Sequence, residues 1–222
     1  MSDLNDVVGG ANLYGGSSYS FTYDRFCSPN SAIYFNNGYL QMPPSVYFSG
    51  NFTFIAWIYL KSYQTYSRIA EFDDQTSTYL VAFYFHDSTS QLTFQISTFA
   101  FVGTTTLSLF NWYHVAFVLQ GTTGLIYVNG IQIANSTLAV PSIVQMSNNF
   151  IGKSSVPSDQ NPIAVYDEIQ IYQGAMTAAQ VLNSFTTSSS NGSIFKLHIF
   201  FQNYCFYFGF ICRKHIKYML TK

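Results

Sequence analysis

The sequence predicts an all-β chain, an antiparallel β-sandwich with one short C-terminal helix, and three observations predict it. Aromatic residues make up 19 % of the 222 residues, with 22 Phe and 18 Tyr, whereas charged residues make up only 9 %. An average globular domain carries about 25 % charge, and aromatic and β-branched side chains suit a pleated, half-buried surface. Short apolar segments recur at close spacing between polar turn residues, as in an all-β domain. The third observation is Asn129-Gly130, set between Leu125-Ile126-Tyr127-Val128 and Ile131-Gln132-Ile133-Ala134. Asn-Gly there favours a two-residue type I′ turn, because both central positions need positive φ.

Residues 1–30 are rich in Gly, Ser, Asn and Tyr and read as a lead-in whose strands are short, contributing at most an edge strand. Residues 31–187 form the main domain; a chain of this length buries one large core. Ser31–Phe35 and Gly38–Met42 are apolar segments separated by Asn36-Asn37-Gly38, a hairpin-like turn signal, and closed by Pro43-Pro44. Phe52–Leu60 is apolar on both faces and is expected to be central. Strands are expected at Arg68–Phe72, Thr78–Phe85, Gln91–Thr98, Trp112–Gln120, Asn149–Gly152 and Val165–Tyr172. Thr177 with Gln180 fits a capping box and opens a helix of about two turns.

Net charge is −1 and pI about 6.4, so no overall field recruits nucleic acid, and no nucleic-acid-reading motif is present. Cys27, Cys205 and Cys212 cannot all pair within one chain, which leaves no disulfide framework to claim. Sequons at Asn51, Asn135 and Asn191 favour an extracellular or cell-surface setting with Asn51 and Asn135 as glycosylation sites. The start, Met1-Ser2-Asp3-Leu4-Asn5-Asp6, lacks the basic and apolar regions of a signal peptide, so that setting implies a piece of a longer protein. Residues 188–222 form an apolar, aromatic tail. Its segment 194–212, followed by Arg213-Lys214-His215-Ile216-Lys217, reads either as a membrane anchor, interrupted by Lys196, His198, Gln202 and Asn203, or as a C-terminus translated from non-coding sequence.

Four segments carry a family resemblance: Phe52-Thr53-Phe54-Ile55-Ala56-Trp57-Ile58, Trp112-Tyr113-His114-Val115-Ala116-Phe117-Val118, Gly124-Leu125-Ile126-Tyr127-Val128-Asn129-Gly130, and Asn149-Phe150-Ile151-Gly152 leading to Asp167-Glu168-Ile169-Gln170-Ile171-Tyr172. In this order they resemble the laminin G-like and pentraxin-like branch of the concanavalin A-like lectin/glucanase superfamily. Ala175-Met176-Thr177-Ala178-Ala179-Gln180 resembles the short helix that ends such domains. The resemblance implies a jelly-roll sandwich. The sequence departs from the family pattern at Cys27, Ala164 and Tyr166. Trp57 and Trp112 read as core side chains, His114 as a hydrogen-bonded structural histidine and Asp167 as a loop-fixing carboxylate.

What the resemblance implies functionally is a non-catalytic binding or adhesion module that recognises a glycan or an extracellular protein, in some members with calcium. Calcium takes six to eight oxygen ligands. The best local supply is Glu71-Phe72-Asp73-Asp74-Gln75, so Asp73 and Asp74 are the expected ligands if Ca2+ binds, with Asp87, Asn148 and Asp159 as partners from other loops. A glycoside hydrolase is the alternative, since a retaining enzyme needs two carboxylates about 5–5.5 Å apart. Glu71-Phe72-Asp73 begins such a motif, but Gln75 and Thr76 stand where its third carboxylate belongs. Asp167 and Glu168, as neighbours on a strand, are expected to point to opposite faces. No catalytic residue is therefore assigned. A purely structural ectodomain spacer is the third reading.

Overall fold

A computed structural model describes residues 4–5, 12–76 and 80–190. In chain order the elements are β1 (Tyr14–Thr22), β2 (Ala32–Met42), β3 (Phe52–Leu60), β4 (Arg68–Asp73), β5 (Leu80–His86), β6 (Gln91–Ile96), β7 (Phe99–Thr106), β8 (Trp112–Gln120), β9 (Thr123–Val128), β10 (Ile131–Thr137), β11 (Asn148–Ile151), β12 (Ile163–Gln173) and α1 (Ala178–Ser190). They pair antiparallel in the order β10-β9-β8-β3-β12-β2-β11-β4-β5-β6-β7, with β1 added on β2. The two ends of this sheet approach each other: Thr104 Oγ1 of β7 donates to the Ile133 carbonyl of β10 at 3.0 Å. The result is a nearly closed antiparallel sheet around one core, with one helix among the described residues packed outside it.

Alternation along the strands builds that core. Phe54 of β3, Phe83 of β5, Phe94 of β6 and Phe117 of β8 all turn inward and are fully buried. Phe83 stacks on Phe54 at 4.3 Å between ring centroids and lies 4.8 Å from Phe117 and 5.3 Å from Phe94. Each such pair contributes about 0.5–1.5 kcal/mol beyond its buried area. Tyr166, one of the departures from the family pattern, also points into this core, and its hydroxyl donates to the Arg68 carbonyl at 3.1 Å. The outward face of β3, β8 and β9 is apolar too, and Val181 of α1 packs there against Ile55, Ala116, Val118 and Tyr127. That second cluster is why Phe52–Leu60 is hydrophobic on both faces.

The hairpin at Asn129-Gly130 forms as expected, with φ of 50° and 78° and Val128 paired to Ile131. So does the capping box: the Thr177 amide donates to Gln180 Oε1 at 2.8 Å and the Gln180 amide to Thr177 Oγ1 at 3.3 Å. The helix runs for 13 residues rather than two turns.

Other expectations are corrected. Asn36-Asn37-Gly38 is not a hairpin turn but a bend inside one continuous strand. Residues 33–36 of β2 pair with β12, residues 40–42 pair with β11, and Asn37 at the bend has φ 56°. Strands that bend this way carry the chain from one packed layer to the next. The lead-in does contribute an edge strand, but a long one rather than a short one: β1 has nine residues and pairs with β2 alone, from Tyr14 opposite Gln41 to Thr22 opposite Ala32. Strand β7 has no counterpart in the sequence reading, because the turn before it, Ser97-Thr98, uses a serine at φ 53° where a glycine would have signalled it. Trp57 is buried, but Trp112 is half-buried beside Tyr59.

Candidate functional site

Strand alternation places Glu71 and Asp73 on the outward face of β4, as the Glu-x-Asp spacing requires. Both are buried and already in use. Glu71 accepts from Arg68 Nε at 2.6 Å and from the Ser155 amide at 2.6 Å. Arg68 also reaches Asp159 at 3.0 Å, and Asp159 accepts from Ser154 Oγ at 2.8 Å. This network clamps the 153–162 segment against the sheet. Asp73 Oδ1 accepts from the Gln75 amide at 3.0 Å and Asp74 Oδ1 from the Thr76 amide at 3.0 Å, two short Asx turns.

Of the residues expected to help Asp73 and Asp74 hold calcium, Asn148 is the cross-strand neighbour of Asp73, Asp159 is committed to Arg68, and Asp87 sits in the β5–β6 turn. Among the described residues no group of three or more His, Cys, Asp or Glu side chains is placed to hold a metal ion. The arrangement does not fit a calcium cage of six to eight oxygens.

Asp167 and Glu168 behave differently from expectation. A bulge interrupts the β12–β3 ladder between Asp167 and Gln170, and Glu168 sits at φ 46°. The extra residue turns both carboxylates to the same side, where Arg25 grips them: Nη1 to Asp167 at 2.8 Å and Nη2 to Glu168 at 2.7 Å. The guanidinium also lies 4.4 Å above the Trp57 ring and donates to the Ser188 carbonyl at 2.6 Å. Burial pushes the Asp167 carboxyl upward against the opposing pull of Arg25. His114 lies edge-on to Trp57 at 5.3 Å, and its Nε2 is 3.2 Å from Ser184 Oγ. Burial, then the Arg25 charge, lowers its pKa to about 4. The whole group is a polar seam joining lead-in, sheet and helix.

An aromatic patch that sequence reasoning missed occupies the outward face of β5 and the turn before β4. Tyr66 is 37 % exposed and held at φ 53°, a backbone region that bulky residues rarely adopt. Arg68 Nη1 fixes it by donating to its carbonyl at 2.6 Å. The Tyr66 ring meets His86 edge-on at 5.9 Å and Tyr84 at 6.3 Å. Arg68 lies 4.3 Å over the Tyr84 ring. Across the ladder from Tyr84 is Thr93, whose buried Oγ1 has no hydrogen-bond partner among the described residues. No motif marks this patch, because its members come from a turn and three strands.

The expected glycosylation sites are both exposed: Asn51 before β3, where Oδ1 accepts from the Gly121 amide at 2.7 Å, and Asn135 on β10. Asn191, Cys205, Cys212 and the 194–212 segment lie outside the described residues. No helix among the described residues is long and apolar enough to cross a membrane.

Solved structures share this fold at low identity. Domain 4 of AbnA, a GH43 extracellular arabinanase from Geobacillus stearothermophilus, in complex with arabinotriose, is 16 % identical with a TM-score of 0.62; the match covers 82 % of this chain and 92 % of that one. The Botulinum neurotoxin serotype G binding domain is 15 % identical with a TM-score of 0.62, covering 84 % of this chain and 49 % of that one. A Trypanosoma rangeli sialidase in complex with 2,3-difluorosialic acid is 15 % identical with a TM-score of 0.59, covering 80 % of this chain and 29 % of the sialidase. This chain thus spans nearly all of the arabinanase domain, about half of the toxin chain and under a third of the sialidase. No curated protein matches the sequence. A laminin G family profile, described as concanavalin A-like lectin/glucanases superfamily, matches residues 35–182, two thirds of the chain. The chain belongs to the concanavalin A-like lectin/glucanases superfamily.

Proposed function

We propose that the chain is a non-catalytic carbohydrate-binding module of an extracellular or cell-surface protein, in the sandwich architecture of its family, and that a glycan lies against Tyr66 and the adjoining outward edge of β5 and β6 at His86 and Gln91. The observation that carries this reading is Tyr66, an exposed aromatic ring fixed in strained backbone beside His86 and Tyr84. Strained residues cluster at functional sites, where the surrounding structure holds them. An amphipathic ring gives a sugar an apolar face to stack on, and the neighbouring, partly exposed His86 and Gln91 supply polar groups to its hydroxyls.

The non-catalytic part is supported by the state of the carboxylates. Glu71 is ion-paired with Arg68, and Asp167 and Glu168 share Arg25, so these carboxylates, among the described residues, are engaged by arginine rather than set across a groove as acid and nucleophile. The exposed sequons at Asn51 and Asn135 support an extracellular setting. Among the structural relatives, an arabinanase domain was solved with arabinotriose, which makes a glycan the first ligand class to test.

A glycan array probed with the full chain, with and without EDTA, tests the proposal. Binding that survives EDTA is the expected result. Binding abolished by EDTA would return Asp73, Asp74 and Asn148 to the role of calcium ligands, and release of reducing sugar from β-glucan would overturn the non-catalytic reading.

A further inference from the structure

We propose that the cleft between α1 and the outward face of β3, β8 and β12 is a second binding site, shaped for one neutral pyranose ring. It rests on the reading of the chain as a carbohydrate-binding module but uses none of the residues around Tyr66. The cleft has a volume of about 310 Å3, with Ile55 as its floor and His114, Glu168, Gln170, Tyr172 and Thr187 among its walls. Ligand pockets span about 300–1,000 Å3, so this one suits a single ring rather than a chain of sugars.

Its chemistry follows from the hydrogen bonds already made. Ser184 Oγ lies 3.0 Å from the Val181 carbonyl and 3.2 Å from His114 Nε2, and with its one proton given to the carbonyl we assign the second contact to donation by Nε2–H. The neutral imidazole then presents Nδ1 as a lone-pair acceptor. That atom is buried and has no partner among the described residues. Buried polar atoms are nearly always paired, and a ligand hydroxyl is a donor of the required kind.

Gln170 Oε1 accepts from the Tyr172 hydroxyl, which leaves the Gln170 amide N–H groups as donors. Glu168, with one oxygen on Arg25, is partly exposed and adds an acceptor. Tyr172, 38 % exposed, supplies an aromatic wall. Both terminal nitrogens of Arg25 are engaged by carboxylates and a carbonyl, so the cleft offers no cationic fork for a phosphate or carboxylate ligand. Donors and acceptors interleaved around one ring face match hydroxyl groups, which do both.

The test is an NMR titration of the full chain with D-glucose, D-galactose, D-mannose and N-acetyl-D-glucosamine, each added alone. At least one sugar is expected to shift the His114 Nδ1 and Gln170 side-chain amide signals saturably. Thr187→Trp, which fills the cleft from an exposed helical position, and Gln170→Ala, which adds no bulk, are each expected to weaken that binding at least about tenfold. Tyr66→Ala is expected to leave it unchanged. The proposal is overturned if no sugar moves either signal, if Thr187→Trp binds as the wild type does, or if the shifts fall around Tyr66 and Tyr84 instead. That last result would sustain the first site and remove the second.

Discussion

Arg25 and Asp167, 142 positions apart in the chain, meet with Nη1 2.8 Å from Oδ2 at a point where both side chains are almost fully buried. This contact ties the lead-in to β12 and holds the bulge at Glu168. Removing one partner of a buried pair strands the other charge, at a cost of about 3–5 kcal/mol. Arg25→Ala is expected to lower stability to urea by that amount. Glu168→Gln, at the half-exposed end of the same fork, is expected to cost under about 1 kcal/mol. Equal losses from the two would mean that Asp167 contributes nothing special.

His114 gives the fold a pH dependence. Its folded pKa is about 4 against an ordinary 6.5. Between those values the unfolded chain binds the proton that the folded chain refuses, so stability is fully present above pH 6.5 and falls as the pH drops toward 4. The loss amounts to about 3 kcal/mol. Asp167, raised by burial, contributes the opposite slope from 3.8 upward, so the comparison is between wild type and His114→Gln in urea titrations across this range. The variant is expected to lose most of the dependence; an unchanged slope would place its origin elsewhere.

Gly38 lies where β1 crosses the bend in β2. A Cβ there would stand 2.1 Å from the Ser18 carbonyl oxygen, so the β1 backbone would have to move. Gly38→Ala is expected to destabilise by about 1–3 kcal/mol and to raise hydrogen exchange in β1 before any other strand. Exchange that rises first in β11 instead would contradict the close crossing.

Thr177→Ala removes the N-cap of α1 and is expected to cost about 1 kcal/mol. Far-UV circular dichroism and exchange at Val181 report it. Because α1 covers the outward cluster around Ile55, near-UV change at Trp57 is expected to accompany the loss.

The features legible in the sequence are those set by neighbours in the chain. Asn129-Gly130 announces its turn because both residues tolerate positive φ, and Thr177 with Gln180 announces a helix start because three positions complete the capping box. The central place of β3 follows from its two apolar faces. What was not legible depends on residues far apart. The Asn36-Asn37-Gly38 signal is the same for a hairpin as for a bend, and only the partners of β2 decide between them. Strict alternation placed Asp167 and Glu168 on opposite faces, and the bulge that overrides it is held by Arg25 from the lead-in. The Tyr66 patch escaped notice because a tyrosine in a polar turn looks like any other until the fold sets it beside Tyr84 and His86.

The central claim rests on that patch, and one comparison tests it most directly: the affinity of wild-type and Tyr66→Ala chains for the strongest glycan on an array, by titration calorimetry, alongside their thermal stability. Wild type is expected to bind, and Tyr66→Ala to bind at least about tenfold more weakly, a loss near 1.4 kcal/mol, while folding as stably as wild type. No glycan bound by wild type, or equal affinity in a folded Tyr66→Ala, would contradict the account.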